Sequence, residues 1–310
     1  MIKTNDTINL GLPVKTAFAL GVFDGLHKGH RQVISKVLDQ KQNGLMTGIF
    51  TFQEAREGDE FYKKDFKYIF SQHAKEKMFN QMGIDFVVSP DFANIKHYNC
   101  EDFVEGIIVK ALNASVISCG SDFTFGMGAE GNAQTLKELC AKKGVEVIIT
   151  PLVKDGEEAI SSSKIRRLIE NGEMEKAREM LCQSFFIDFP VIEGNKIGKK
   201  LLNIPTINQA FPKNHCIPKY GVYATRVELN GKAYAGATNV GVKPTVSKSG
   251  EILSETYING FDGDLYGKNI KVEFLEFVRP EAKFASTDEL KAQIEMDKLK
   301  CVEIFNSYEK

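Results

Sequence analysis

Short runs of apolar, β-branched residues alternate with amphipathic stretches through the first half of the chain, the pattern of a parallel sheet covered by helices. Strands are expected over 17–23, 46–52, 85–89, 115–119 and 145–150. Between the first two, residues 31–42 place Val33, Ile34, Val37 and Leu38 on one helical face, and Gly44 supplies the stop. A later helical stretch follows the serines at 161–163, turns Ile165, Leu168 and Ile169 inward, halts at Asn171-Gly172 and resumes as far as Leu181. Past Gln183 the pattern changes to strands over 186–193, 221–229, 233–240 and 270–278, with Asn230-Gly231 joining two of them as a hairpin. This reads as a small antiparallel barrel or sandwich. A last helix starts near Ser286, whose spacing to Glu289 is that of a capping box, with Leu290, Ile294 and Leu299 facing inward. The expected fold class is α/β: a parallel-sheet domain over 1–183, then an antiparallel β domain over 184–310 with a terminal helix.

Composition narrows the functions such a chain can serve. At 310 residues, 43% apolar, it is long enough for two cores. Forty Lys+Arg against forty-one Asp+Glu leave a net charge of −1, no surplus for neutralising a nucleic-acid backbone. No run of eighteen apolar residues predicts a membrane span, and the start lacks a signal peptide's layout. The six cysteines, at 100, 119, 140, 182, 216 and 301, are spaced too widely for Cys-x-x-Cys chemistry. They read as reduced thiols of a cytoplasmic protein. Nothing in the sequence speaks to oligomeric state.

The first chemistry-bearing segment follows strand one: Gly21, Phe23, Asp24, Gly25, His27, Gly29 and His30 lie within ten residues of a strand-to-helix turn. Backbone N–H groups and the helix dipole at such a turn favour phosphate. Two histidines three apart on the helix would share a face and could both donate to one polyphosphate. The bland alternative is that they cap the helix or pack locally. Further on, Ser161, Ser162 and Ser163 precede Lys164 and Arg166, hydroxyls at a helix N-terminus followed by cations. An ordinary serine cap with a solvated basic face reads the same way.

The Phe-Asp-Gly-x-His-x-Gly-His run resembles the FMN adenylyltransferase module of bacterial bifunctional riboflavin kinase/FAD synthetases, within the His-x-Gly-His nucleotidyltransferase superfamily. The segment from Gly120 to Gly126, with Asp122, Phe123 and Phe125, is similar to that family's second nucleotide and flavin loop. The serine segment is similar to its Ser-Ser-Thr-Arg-x-Arg, with Ser163-Lys164 in place of Thr-Arg. Its Pro-His-Pro after strand two is absent from Thr51-Phe52-Gln53-Glu54-Ala55-Arg56. The resemblance implies a Rossmann-like domain. In it His27, His30 and Arg166 are catalytic, Gly21, Phe23, Asp24, Gly25, Gly29, Asp122 and Ser162 bind nucleotide, and Phe123 and Phe125 bind flavin.

In the second half, glycines and lysines including Gly198 and Lys199 precede Pro205, Thr206 and Asn208. These are the backbone donors, cations and small oxygen ligands that a magnesium–nucleotide site uses. A flexible basic loop beside a turn has the same composition. The stretch resembles the riboflavin kinase motif Gly-x-Pro-Thr-Ala-Asn, with Asn203 in place of the first Gly. The segments at 218–223, 238–245 and 255–267 continue that resemblance, with Tyr257 and Gly260 standing for the usual His and Asp. The resemblance implies that Glu255 is the base, that Asn239, Gly198 and Lys199 hold nucleotide, that Thr206 and Asn208 hold Mg²⁺, and that Arg279 and Glu281 lie on the flavin side. Both motif sets occur in order from about residue 15 to the last helix. They imply ATP-dependent phosphorylation of riboflavin to FMN and adenylylation of FMN to FAD. A kinase with a degenerate adenylyltransferase domain, and a flavin-binding regulator without turnover, are the competing readings.

Overall fold

The computed structural model describes residues 1–7, 10–54, 66–193, 205–242 and 251–310. Two compact units emerge, Met1–Tyr68 with Gln72–Ser162, and Ile69–Ser71 with Ser163–Lys310.

The first unit holds a six-stranded parallel sheet of β1 (Ile2–Thr4), β2 (Thr16–Leu20), β3 (Met46–Phe50), β4 (Phe86–Val88), β5 (Ala114–Gly120) and β8 (Glu146–Thr150), in the order β1-β4-β3-β2-β5-β8. β6 (Thr124–Phe125) pairs with β7 (Gly131–Asn132), and β9 (Lys154–Asp155) with β10 (Glu158–Ala159). The expected strand over 17–23 stops at Leu20, because the chain leaves the sheet there and Phe23 takes a left-handed φ of 52°. Helices α1 (Lys28–Leu38), α2 (Gln72–Gln81), α3 (Cys100–Asp102) and α4 (Ala133–Ala141) connect the strands. α3 runs into a π-helical stretch, Phe103–Ala111. α1 buries Val33, Ile34 and Val37, three of the four residues its periodicity turns inward. The core under the sheet gathers Phe18, Phe50, Phe103, Ile117 and Leu136.

From β2 the chain winds through β3 and β4 to one side and through β5 and β8 to the other. β2 and β5 therefore flank a topological switch point, where the carboxyl ends of parallel strands open a crevice. The two sequence segments singled out in this half, 21–30 and 120–126, begin at the carboxyl ends of those two strands.

The second unit carries α5 (Ser162–Glu170) from Ser163 onward, α6 (Met174–Leu181) and a seven-stranded antiparallel sheet. Its strands are β11 (Phe186–Ile187), β12 (Val191–Ile192), β13 (Thr206–Ala210), β14 (Gly221–Leu229), β15 (Lys232–Val242), β16 (Ile252–Ile258) and β17 (Val272–Arg279), in the order β11-β17-β14-β15-β16-β13-β12. The expected single strand over 186–193 is two short strands on opposite edges of this sheet. Pro190, with no N–H to donate, stands at the break. Only residues 188–190 separate the two edge strands, so the sheet curls into a half-barrel. Gln209, fully buried, holds that closure by donating to the carbonyls of Phe189 (2.6 Å) and Ile270 (2.8 Å).

Strands β13 and β16 were not among those expected. Their polar residues, including Gln209, Ser254 and Thr256, are buried and hide the apolar signal. α7 (Thr287–Tyr308) begins at the expected cap, Ser286 Oγ accepting from Glu289 N (3.2 Å); the reciprocal half differs from a capping box, since Glu289 Oε2 accepts from Ala285 N (3.0 Å), one residue before the cap. Its inner face differs from expectation. Asp297, Cys301 and Ile304 are buried, whereas Leu299, two residues and about half a turn from Asp297, is 73% exposed.

Candidate active sites

The turn after β2 is strained and braced. Phe23, Gly25 and Leu26 have φ of 52°, 83° and 46°, a left-handed run that a loop adopts only when its surroundings hold it. Three bonds do so. Thr51 Oγ1 donates to Val22 O (3.0 Å), Ser162 Oγ to Asp24 O (2.8 Å) and Arg31 Nε to Leu26 O (3.0 Å). Asp24, Leu26 and His27 are buried.

His27 does not lie on the helix, as the sequence reading had it, but caps α1, its Nδ1 accepting from His30 N at 3.4 Å. Both parts of the bland alternative are present, because the two rings also stack, 3.7 Å between centroids and 19° from parallel. An accepting Nδ1 carries no proton, so the His27 proton is on Nε2, a donor for an anion. Gly29 leaves room for that ring, since a Cβ there would stand 3.2 Å from His27 Cε1, a tight contact. Phe23 meets His30 edge to face at 5.4 Å.

Burial lowers the His27 pKa to about 4, and burial, His27 and Lys75 together hold His30 well below its usual range. Both imidazoles are therefore neutral at pH 7 and act as hydrogen-bonding groups, not as acids. An unfolded chain protonates them near 6.5, so the unfolded state takes up protons first as pH falls. Their contribution to stability is complete above about pH 6.5 and drains away toward pH 4. Calorimetric melting of the first unit should shift to lower temperature between pH 7 and 5, and a melting temperature unchanged over that interval contradicts this account.

One residue beside the pair had no sequence expectation. Lys75, on α2, is 1% exposed, and its Nζ has no hydrogen-bond partner among the described residues. It sits with Ala74, Met78 and Phe79 on the buried stripe of α2, so the missed signal was a lysine at an apolar position of a helix.

Of the second loop, Phe125 is a core residue, 6% exposed and 5.4 Å from the Phe103 ring. Phe123 stacks on Phe125 at 6.0 Å and is only half-buried, and Asp122 is exposed. In the second unit, Arg166 NH1 reaches Ser163 Oγ at 3.5 Å.

The half-barrel brings three predicted residues into one row. β13 pairs Asn208 with Glu255 of β16, and Glu255 pairs in turn with Asn239 of β15. Directly paired residues share a face with Cβ atoms about 4.5–5.5 Å apart. Glu255 thus lies mid-strand between two amides. Thr206, two residues before Asn208, shares its face. Glu281 reaches the same face through Gly241, where a Cβ would collide with the Glu281 carboxylate. Arg279 is held elsewhere: its Nε and NH2 donate to Asp297 of α7 at 2.9 and 2.6 Å, and its guanidinium lies 5.8 Å from the Phe284 ring. Asp297, 6% exposed and also bonded by Gln293 Nε2 at 2.9 Å, is a second residue without a sequence expectation. Gly198 and Lys199 lie outside the described residues.

A strand-to-helix turn at the switch point of a parallel sheet, of the kind that favours phosphate, and an antiparallel half-barrel carrying a carboxylate between amides are the features expected of a nucleotide-dependent transferase. Comparison with known proteins gives the family. An FAD synthetase family model matches residues 12–164 and a riboflavin kinase model residues 181–305. The bifunctional riboflavin kinase/FMN adenylyltransferase of Bacillus subtilis is 32% identical over 304 residues, 96% of this chain and 94% of the relative. That of Escherichia coli is 30% identical over 92% of this chain and 91% of its own length. A solved structure from Streptococcus pneumoniae, described as a macrolide-efflux protein, matches with a TM-score of 0.83 and 29% identity over 96% of this chain and 97% of that one. Among the described residues no helix is long and apolar enough to cross a membrane. The chain belongs to the bifunctional riboflavin kinase/FMN adenylyltransferase family.

Proposed function

We propose that residues 184–310 phosphorylate riboflavin to FMN with ATP and that residues 1–183 adenylylate FMN to FAD, releasing pyrophosphate. The observation that carries this reading is that the reactive groups of each motif set fall together locally: the imidazole pair at the parallel-sheet switch point, and the row of Asn208, Glu255 and Asn239 in the half-barrel.

In adenylyl transfer a phosphate oxygen of FMN attacks the α-phosphorus of ATP. The bond to the bridging oxygen of the β-phosphate breaks, and its electron pair leaves with pyrophosphate. The nucleophile is already an anion and needs no base. Catalysis then consists of positioning and charge stabilisation, for which neutral His27, donating through Nε2–H, His30 and Ser162 are suited. Arg166, one turn along α5, is assigned to the phosphates on its motif, as Gly21, Phe23, Asp24, Gly25, Gly29 and Asp122 are to the nucleotide. Phe123, supported by Phe125, would meet the flavin ring.

In the kinase step Glu255 takes the ribityl hydroxyl proton as that oxygen attacks the γ-phosphorus and ADP departs. Asn239, Gly198 and Lys199 are assigned to the nucleotide, and Glu281, with Arg279 held by Asp297, to the flavin. The Thr206 hydroxyl and the Asn208 amide oxygen are hard, neutral donors, and no cluster of three His, Cys, Asp or Glu among the described residues is placed to bind a metal alone. That set fits Mg²⁺, which keeps waters and shares substrate phosphates. Bound there, the ion would neutralise phosphate charge. The spaced thiols support a cytoplasmic setting.

Incubation of the purified chain with riboflavin, ATP and Mg²⁺, with flavins resolved by chromatography, tests the reading. FMN should form first and FAD after it. A stop at FMN would indicate a degenerate first domain, and riboflavin bound but unchanged a regulator; either result overturns the bifunctional assignment.

A further inference from the structure

The buried lysine beside the histidine pair has no role in the chemistry described so far. Lys75 lies on the face of α2 turned toward the 21–30 turn: Phe79, one turn on, meets Phe23 edge to face at 6.2 Å, and Phe23 meets His30 at 5.4 Å. Its Nζ stands 5.5 Å from the Tyr68 ring centroid and is hydrogen-bonded to nothing among the described residues. His30 Nδ1 is likewise buried without a hydrogen bond. Buried polar groups in native proteins nearly always have partners, and an ammonium without one is costly unless a ligand completes it.

We propose that Lys75 is a phosphate-binding residue of the adenylyl-transfer site, its ammonium receiving a phosphate group of ATP or of FMN against the stacked imidazoles of His27 and His30.

This inference rests on the adenylyltransferase reading of the first domain. Three carboxylates, Asp24, Glu54 and Glu76, act on Lys75 through space without closing a hydrogen-bonded ion pair with it, so its ammonium donors are still to be used. Glu76 is already bonded to Lys3 (2.6 Å) and Gln72 (2.9 Å). Burial holds the ammonium below its usual range while the three carboxylates pull the other way, so an arriving phosphate would strengthen its hold on the proton. The neighbouring imidazoles are neutral and do not repel it. Where water is excluded, a cation fixed before the substrate arrives stabilises phosphate charge more strongly than one in solvent.

The test uses the full chain with Lys75→Met and Lys75→Arg. KM values for ATP and for FMN are measured in FAD formation, together with inhibition by pyrophosphate and by adenosine, while riboflavin phosphorylation in the same preparations reports on the fold. Lys75→Met should raise the KM for one phosphate substrate about 10–100-fold, as loss of a charge-assisted hydrogen bond does, and Lys75→Arg should recover much of it. Adenosine inhibition should be unchanged. A parallel loss of pyrophosphate inhibition identifies ATP as the source of the phosphate, and an effect on FMN alone identifies the flavin. If both KM values stay within about twofold of the parent, or adenosine inhibition weakens in step, the assignment is overturned. If Lys75→Met does not fold, the NMR signal of Lys75 Nζ in the unaltered chain carries the test: it should shift on adding pyrophosphate or FMN, and a signal unmoved by either overturns the proposal. A parent chain that forms no FAD refutes the adenylyltransferase reading instead.

Discussion

In the His30→Ala chain, FAD formation from FMN and ATP is expected to fall roughly 10²–10³-fold while riboflavin phosphorylation keeps its parental rate. That range is what removal of one fixed donor aimed at developing charge costs in other enzymes. Three features of the site explain why His30 should carry so much. Its ring is clamped between the stacked His27 ring and the edge of Phe23, so its orientation is set before substrate arrives. It is held neutral, so its contribution is a hydrogen bond whose geometry cannot be replaced by a solvent proton. It also lies in the first turn of the helix that His27 caps, and its loss strips the cap ring of its stacking partner, although the bond from the backbone N of residue 30 to His27 Nδ1 remains. His30→Asn retains a side-chain donor at reduced reach and should fall between the two. Product quantities after fixed incubation, with the kinase rate as internal control, check both.

The second large effect belongs to the half-barrel. Glu255→Gln preserves volume within the row formed with Asn208 and Asn239, while it turns one acceptor oxygen into an NH2 donor and removes the negative charge together with the ability to take a proton. Riboflavin phosphorylation should drop about 10²–10⁴-fold, the usual contribution of a general base, with little change in the KM for ATP. Adenylylation of supplied FMN should continue at the parental rate. A Glu255→Gln chain that still phosphorylates riboflavin normally would remove Glu255 from the chemistry and leave its row as packing.

Much of this architecture can be read in the residues, and the exceptions have physical causes. The strand-turn-helix around His27 and His30 is local, written in apolar periodicity and glycine placement. So is the helix cap at Ser286, and so is the hairpin at Asn230-Gly231, both of whose residues take positive φ. Contacts between segments distant in sequence leave no such trace. Glu255 looks like a surface residue until β13 and β15 are seen on either side of it. Arg279 reads as a ligand-facing cation, yet Asp297, eighteen residues on, holds its guanidinium. Lys75 leaves only a faint trace, a lysine among Ala74, Met78 and Phe79 on one helical stripe, and tertiary structure is needed to show that the stripe is buried. Leu299 shows the converse, an apolar residue on the solvent side of α7.

The central claim, two separate sites of different chemistry joined by one shared intermediate, is tested most directly by complementation. The His30→Ala and Glu255→Gln chains are each incubated with riboflavin, ATP and Mg²⁺, then mixed in equal amounts, and FAD is quantified. Each alone should make little FAD, the first accumulating FMN and the second leaving riboflavin unconverted, while the mixture should convert riboflavin to FAD through released FMN. A mixture that forms no more FAD than the two chains do separately would contradict the account.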